Sequence, residues 1–187
     1  MATPKDMVTQ GNRLIDDEVS TASWLDWYND GIDDLLEAMS IEAQETLATP
    51  DSAGWFDLPE NFKGEILIQT ADQQTLYPVD LGSTGYIGYK IFDGKIQVTG
   101  MSLDTLSVFY YKIPAKLASD AIDVVVDIPD QYIEPIILYG CMRALQADDE
   151  GERYLQFRAD YREAKSRVLR QSSKAKPARV GAWAVVR

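Results

Sequence analysis

The chain has 187 residues, 45% of them hydrophobic and 26% charged, with a net charge of −12, one cysteine and no histidine. That length supports one domain with a real core, or one domain carrying a small insert. The missing histidine removes imidazole-based serine and cysteine triads and every histidine-containing zinc site, and a lone Cys141 rules out an intrachain disulfide.

Thr3 before Pro4 has the pattern of an N-cap followed by proline at the first helical position, and predicts a short helix to about Leu14. Ser20 or Thr21 then caps a longer helix. In it Leu25, Tyr28, Ile32, Leu35, Leu36 and Met39 recur at helical spacing, with Trp24 and Trp27 beside them. Asp26, Asp30, Asp33, Asp34 and Glu37 fill the other face, so this helix buries one side only. Residues 49–54 read as a loop by composition.

From Gly64 to Tyr111 the hydrophobic period changes to that of strands. Candidate strands cover 65–69, 76–79, 86–92, 95–98 and 105–112. Asp93-Gly94, set between Ile91-Phe92 and Lys95-Ile96, supplies the two positive-φ residues of a type I′ hairpin turn. Leu106, Val108 and Tyr110 alternate with Ser107, but Phe109 and Tyr111 make that last strand apolar on both faces. Gly82-Ser83-Thr84-Gly85 lacks the glycine pattern and following helix of a phosphate loop.

After Ile128-Pro129 the period is helical again. Ile133, Ile136, Ile137, Cys141, Ala144 and Leu145 line one face, with Pro135 tolerable only in the first turn. Asp148-Asp149-Glu150-Gly151 breaks that helix. Tyr154, Phe157, Tyr161, Ala164 and Val168 then step by 3, 4, 3 and 4, a seam suited to packing back in an antiparallel helical hairpin. Regular structure is expected to end over 172–177. The fold class is therefore α+β: a small helical bundle (1–48 with 129–171) carrying an antiparallel β-rich insert (49–128), followed by an extended arm (172–187).

Charge is unevenly placed. Between residues 16 and 60 there are thirteen carboxylates and no Lys or Arg, whereas from Arg162 onward eight basic residues face the single acid Glu163. A solvated helix face accounts for this pattern; so do two ends that meet different surfaces, or each other on neighbouring subunits. An acidic body argues against the whole protein gripping nucleic acid. No apolar run approaches the roughly 20 residues of a membrane span, the first residues carry no apolar core of a signal peptide, and a single thiol fits synthesis in a reducing cytoplasm.

No catalytic constellation is visible, and no catalytic, cofactor-binding or metal-binding residue is assigned. Acid pairs such as Asp33-Asp34 and Asp148-Asp149 are common on helix surfaces and ends. Cys141 falls on an apolar face, where a thiol is a small core residue. Tyr110 and Tyr111 suit a core or an interface better than an RNA-stacking platform. The last residues stand out, because Trp183 and the valines supply burial that a simple polybasic arm does not need; they read as a docking arm.

Several segments, taken in order, resemble the head-to-tail adaptor (connector or neck) proteins of tailed bacteriophages. They are Leu58-Pro59 with Phe62, the hairpin of residues 90–96, the strand of residues 106–111 running into Ile113-Pro114, and Ile128-Pro129-Asp130-Gln131-Tyr132 opening the helix of residues 136–140. Tyr154, Phe157 and Tyr161 continue the likeness, which spans 58–169. The resemblance implies a structural virion protein of the neck, made in the host cytoplasm, without enzymatic activity or cofactors. It implies a homo-oligomeric ring, typically a dodecamer, seated under the portal protein after genome packaging, with a downstream neck or tail protein attached and DNA passing through the channel without sequence-specific binding. Such adaptors send C-terminal arms into clefts of the portal, and Lys174, Lys176, Arg179, Val180, Trp183, Val185, Val186 and Arg187 occupy the matching place. In such a ring Asp26, Asp30, Asp33, Asp34 and Glu37 are candidates to line the channel, or to meet Arg162, Lys165 and Arg167 of a neighbour. Some relatives in this broad group hydrolyse cell wall, but no residues here would carry that reaction. The residues alone leave two rivals open: another tail-completion or decoration protein of the virion, and a carboxylate-dependent metal hydrolase.

Overall fold

The computed structural model describes residues 2–80, 82, 85–147 and 151–175. They fall into two compact units: a helical unit (Met1–Met39 with Ala115–Arg187) and a β unit (Ser40–Pro114).

In the helical unit, α1 (Pro4–Ile15) opens with the expected cap. The Thr3 hydroxyl accepts the Asp6 amide at 3.1 Å, and the Asp6 carboxylate accepts the Thr3 amide at 2.9 Å. Two orphan helix donors are thereby satisfied reciprocally. Ser20 caps α2 (Thr21–Leu35), which stops earlier than expected and gives way to a turn through Ala38. The helices α3 (Asp130–Ala147) and α4 (Gly151–Ala175) follow, with α4 packed along α3. The 3,4 seam is as expected, with Tyr161, Ala164 and Val168 buried. Because α3 begins at Asp130, Pro135 lies in its second turn instead of its first, which removes one internal amide donor. Further along, α4 takes up residues 172–175, expected to belong to the arm; the first residue disfavoured for helix is Lys176, which precedes Pro177.

Three helices, α1, α2 and α3, converge on one aromatic pair. Trp24 and Tyr28 of α2 stack with ring centroids 5.3 Å apart, and both are fully buried. Their polar atoms are not stranded: Trp24 Nε1 donates to Asn12 Oδ1 at 2.6 Å and the Tyr28 hydroxyl to the Met7 carbonyl at 2.8 Å. The sequence pattern put Trp24 beside the stripe, and the structure puts it at the centre.

Residues 115–128 were expected to belong to the insert, but hydrogen bonds hold them to the helical unit. Asn29 grips the Leu117 peptide from both sides, donating to its carbonyl at 3.0 Å and accepting its amide at 2.8 Å. The Val126 amide donates to the Ala2 carbonyl and the Lys5 amide to the Ile122 carbonyl.

The β unit holds two sheets, not the single one expected. One runs β1 (Ile41–Ala48), β7 (Thr105–Lys112), β3 (Phe62–Thr70), β4 (Thr75–Leu76); the other runs β2 (Trp55–Asp57), β6 (Lys95–Thr99), β5 (Gly88–Phe92). Every strand pair is antiparallel, with one isolated parallel bridge between Pro78 and Tyr89. Both sheets face one core of Leu47, Phe56, Ile68, Leu76, Tyr89, Ile96, Leu106, Val108 and Tyr110. The β5–β6 hairpin turns on Asp93 and Gly94, at φ 48° and 70°, as the sequence requires.

Residues 41–48 are the clearest correction to the expected helical segment 1–48. Glu, Ala, Gln and Leu are good helix formers. An eight-residue register with β7, from Ile41↔Lys112 to Ala48↔Thr105, overrides that preference.

Gly140 of α3 permits the close approach to the aromatic pair. A Cβ there would lie 2.5 Å from Tyr28 Cε1 and 2.9 Å from Trp24 Cζ3. Gly140→Ala should therefore lose about 1–3 kcal/mol by overpacking, a loss that outweighs the roughly 1 kcal/mol of helix propensity alanine adds. At Gly151, where a Cβ meets nothing within 4 Å, the same change should be neutral or stabilising. Thermal unfolding of the two variants checks the contrast.

Candidate functional site

The acidic face of α2 is the most strongly patterned surface of the helical unit. Asp26, Asp30, Asp33, Asp34 and Glu37 are all exposed, as expected for the solvated side of a one-sided helix. Three of them are engaged within their own chain. Asp34 accepts from Lys165 Nζ at 2.6 Å and from the Tyr161 hydroxyl, both on α4. Asp33 pairs with Lys116, and Asp30 lies 4.0 Å from Arg143. For Asp26 and Glu37 no ion-pair partner stands among the described residues.

The basic residues sort in the same way. Lys165 is committed to Asp34, and Arg167 pairs with Glu134 at 3.2 Å. Of the three basic residues considered for a neighbour, Arg162 keeps its side chain exposed on the outer face of α4. Arg153 does something the sequence did not signal: its guanidinium donates to the carbonyls of Leu14 (3.3 Å) and Ile15 (2.9 Å), capping the C-terminus of α1 from α4.

The Asp34 cluster is electrostatic bracing. Partial burial pushes the Asp34 carboxyl up, but the hydrogen bonds from Lys165 and Tyr161 more than offset this and hold it below the usual carboxylate range. Burial first, then the Asp34 carboxylate, drive the Tyr161 hydroxyl upward, so it stays protonated and donating. Tyr139 closes the cluster edge-on to Tyr161, with centroids 5.3 Å apart.

Catalytic geometry is missing from this arrangement. Among the described residues no three His, Cys, Asp or Glu side chains are grouped so that they could hold a metal ion. Cys141 is buried and free, and burial pushes its thiol up to about 12. A groove of about 320 Å³ on the β unit is lined by Glu42, Ala43, Gln44, Ile66, Leu67 and Phe109, with one carboxylate among them. Tyr110 is a core residue and not a stacking platform: it is buried against Phe62, with its hydroxyl donating to Asn61 at 3.0 Å. Tyr77, Tyr86, Ile87, Phe92 and Ile113 are instead the exposed large apolar side chains of the β strands and loops among the described residues.

Lys174 lies in the last turn of α4, and Lys176, Arg179, Val180, Trp183, Val185, Val186 and Arg187 lie outside the described residues. No helix among the described residues is long and apolar enough to cross a membrane.

The family described as SU10 adaptor protein matches residues 2–181, nearly the whole chain. The chain belongs to the SU10 adaptor family. The match bears out the likeness to phage head-to-tail adaptors and makes the chain a structural component of a bacteriophage particle. It also takes in residues 2–57, where the acidic N-terminal helix is compatible with the likeness but not diagnostic of it. No curated protein matches the sequence.

Two outcomes follow for this SU10 adaptor. Asp34 is depressed in the folded state, so its contribution is present above the unfolded value near 3.8 and is lost as pH falls through the lower folded value. Asp34→Asn should cost about 1 kcal/mol or less at neutral pH, because the side chain is 40% exposed and solvent screens the pair. The gap from wild type in urea titrations should narrow as pH falls below the unfolded value near 3.8 and close only below the lower folded value, where the Asp34 carboxyl is neutral in both states. Cys141 should resist a thiol reagent in the native protein and react at once in denaturant.

Proposed function

We propose that this SU10 adaptor works as a ring of identical subunits seated beneath the portal protein, passing DNA and offering the attachment site for neck or tail proteins. The observation that carries this reading is the family match across residues 2–181. The described architecture supports it. A cross-braced helical unit with a separately packed β unit suits a load-bearing part with two working surfaces. The C-terminal residues are the portal-docking arm, in which Trp183, Val185 and Val186 provide apolar anchors and Lys174, Lys176, Arg179 and Arg187 meet portal acids. Exposed Tyr77, Tyr86 and Ile87 on the β unit are suited to meet the next protein of the neck. The chain acts by binding, without a cofactor.

The test is portal attachment. A chain ending at Ala175 keeps all of α4 and should retain the helical and β signals in circular dichroism while losing attachment to portal rings in a sedimentation assay. Trp183→Ala should weaken attachment by about 2 kcal/mol per arm, as a buried aromatic anchor does. Lys176→Ala should cost under about 1 kcal/mol, as a rim charge does. Attachment at full strength by the truncated chain would assign docking to the folded units.

A further inference from the structure

On the far side of α4 the Arg158 and Arg162 side chains have no ion-pair partner among the described residues. The inner side of α4 packs on α3 through Tyr161, Ala164 and Val168. On the opposite side Leu155, Arg158, Ala159, Arg162, Ser166 and Leu169 recur at helical spacing, and all are exposed. Leucines left 58% and 44% exposed at the two ends of that stripe, Leu155 and Leu169, are out of place on a solvated helix face. The stripe is also positive, because Lys165 and Arg167 are engaged within the chain while Arg158 and Arg162 point outward.

The outer face of α2 is its complement. Asp26 has no ion-pair partner among the described residues, and Asp30 has only the 4.0 Å contact with Arg143. Asp26 and Asp30 are one helical turn apart, as are Arg158 and Arg162, so two charge pairs can close together between one α4 and one α2. Exposed Ala22, one turn before Asp26, lets another helix come close. The stripe lies away from Tyr161, Ala164 and Val168 on α4, and Asp26 and Asp30 lie on the side of α2 away from buried Trp24, Tyr28 and Ile32.

We propose that the outer stripe of α4 in one subunit docks on the acidic face of α2 in the next copy, with Arg158 and Arg162 against Asp26 and Asp30 and the two leucines buried at the flanks. Joining unlike faces, the contact is heterologous and repeats from copy to copy. It rests on the ring reading above only for closure; the contact itself follows from charge and exposure. It also assigns these acids to subunit joints, leaving Glu37 as the acid still available to another surface.

Charge exchange tests it. In Arg158→Glu/Arg162→Glu both faces are acidic, and in Asp26→Arg/Asp30→Arg both are basic. Sedimentation velocity of the full chain, alone and with portal protein, should show assembly of the wild type. Each double variant should lose at least tenfold in assembly at low salt, with circular dichroism unchanged. Mixing the two variants should restore assembly, because each acidic face then meets a basic one and the copies alternate. Near 1 M salt, where screening acts over about 3 Å, the rescue should fade. Since Asp30 also lies near Arg143, the single changes Asp26→Arg and Arg162→Glu carry the same test with a smaller loss. Wild-type assembly with equal assembly by both variants, or no rescue on mixing, overturns the contact and leaves the ring standing. A wild type that never assembles, even on the portal, overturns both.

Discussion

Close approach of backbone to the Trp24–Tyr28 pair is the constraint on which the helical unit depends. Gly11 of α1 stands on one side, where a Cβ would meet the Tyr28 hydroxyl at 2.5 Å, and Gly140 of α3 stands on another. Two large rings can fill the space between three helices only if those helices offer no side chain at the contact. The hydrogen bonds to Asn12 and Met7 then fix ring orientation, so the rings cannot slide to relieve crowding. Gly31, against Tyr139 of α3, repeats the device one level along α2. From this packing follows the angle at which α3 leaves, and hence where α4 can lie.

Charge in this unit acts on top of that packing. The sequence separates acid from base along the chain, but folding brings part of each together: Asp34 with Lys165, Asp33 with Lys116, Glu134 with Arg167. Exposed pairs of this kind add little stability each. Their effect is on selection, because they choose which charges remain outward. Arg158 and Arg162 are left outward while Lys165 is engaged with Asp34, and that distinction is invisible in a count of basic residues.

Most elements were legible because their signals were local. Thr3-Pro4, Asp93-Gly94 and the 3,4 seam of α4 each impose their geometry within a few residues, and the structure follows them. What escaped was set by distant partners. Residues 41–48 have helical propensity and become a strand only because β7 offers a matched ladder fifty-seven residues away at its nearest pair, Ala48 with Thr105. β2 is three residues long, too short for any period to show. Residues 115–128 have no period at all, and their allegiance to the helical unit lies in scattered long-range bonds such as the Asn29 amide on Leu117 and the Val126 amide on Ala2. At the candidate site the acids and bases were legible as a pattern. Their partition into internal pairs and outward charges was not, since helix spacing says which residues share a face but not which face meets which.

The insert begins and ends on one pair of strands, and this explains how a helical unit tolerates an interruption of seventy-five residues (Ser40–Pro114). Ile41 and Lys112 are register partners, so their Cα atoms lie about 5 Å apart, as paired residues of antiparallel strands do. Seen from the helices, the whole β unit leaves and returns at nearly one point. The entropy of closing so long a loop grows only with the logarithm of its length. Here it is offset by the β unit's own core and ladders, without drawing on helix contacts. Asn29 holding Leu117 secures the returning chain on the helical side. Each unit thus closes the loop independently, so surface change in one need not disturb the core of the other.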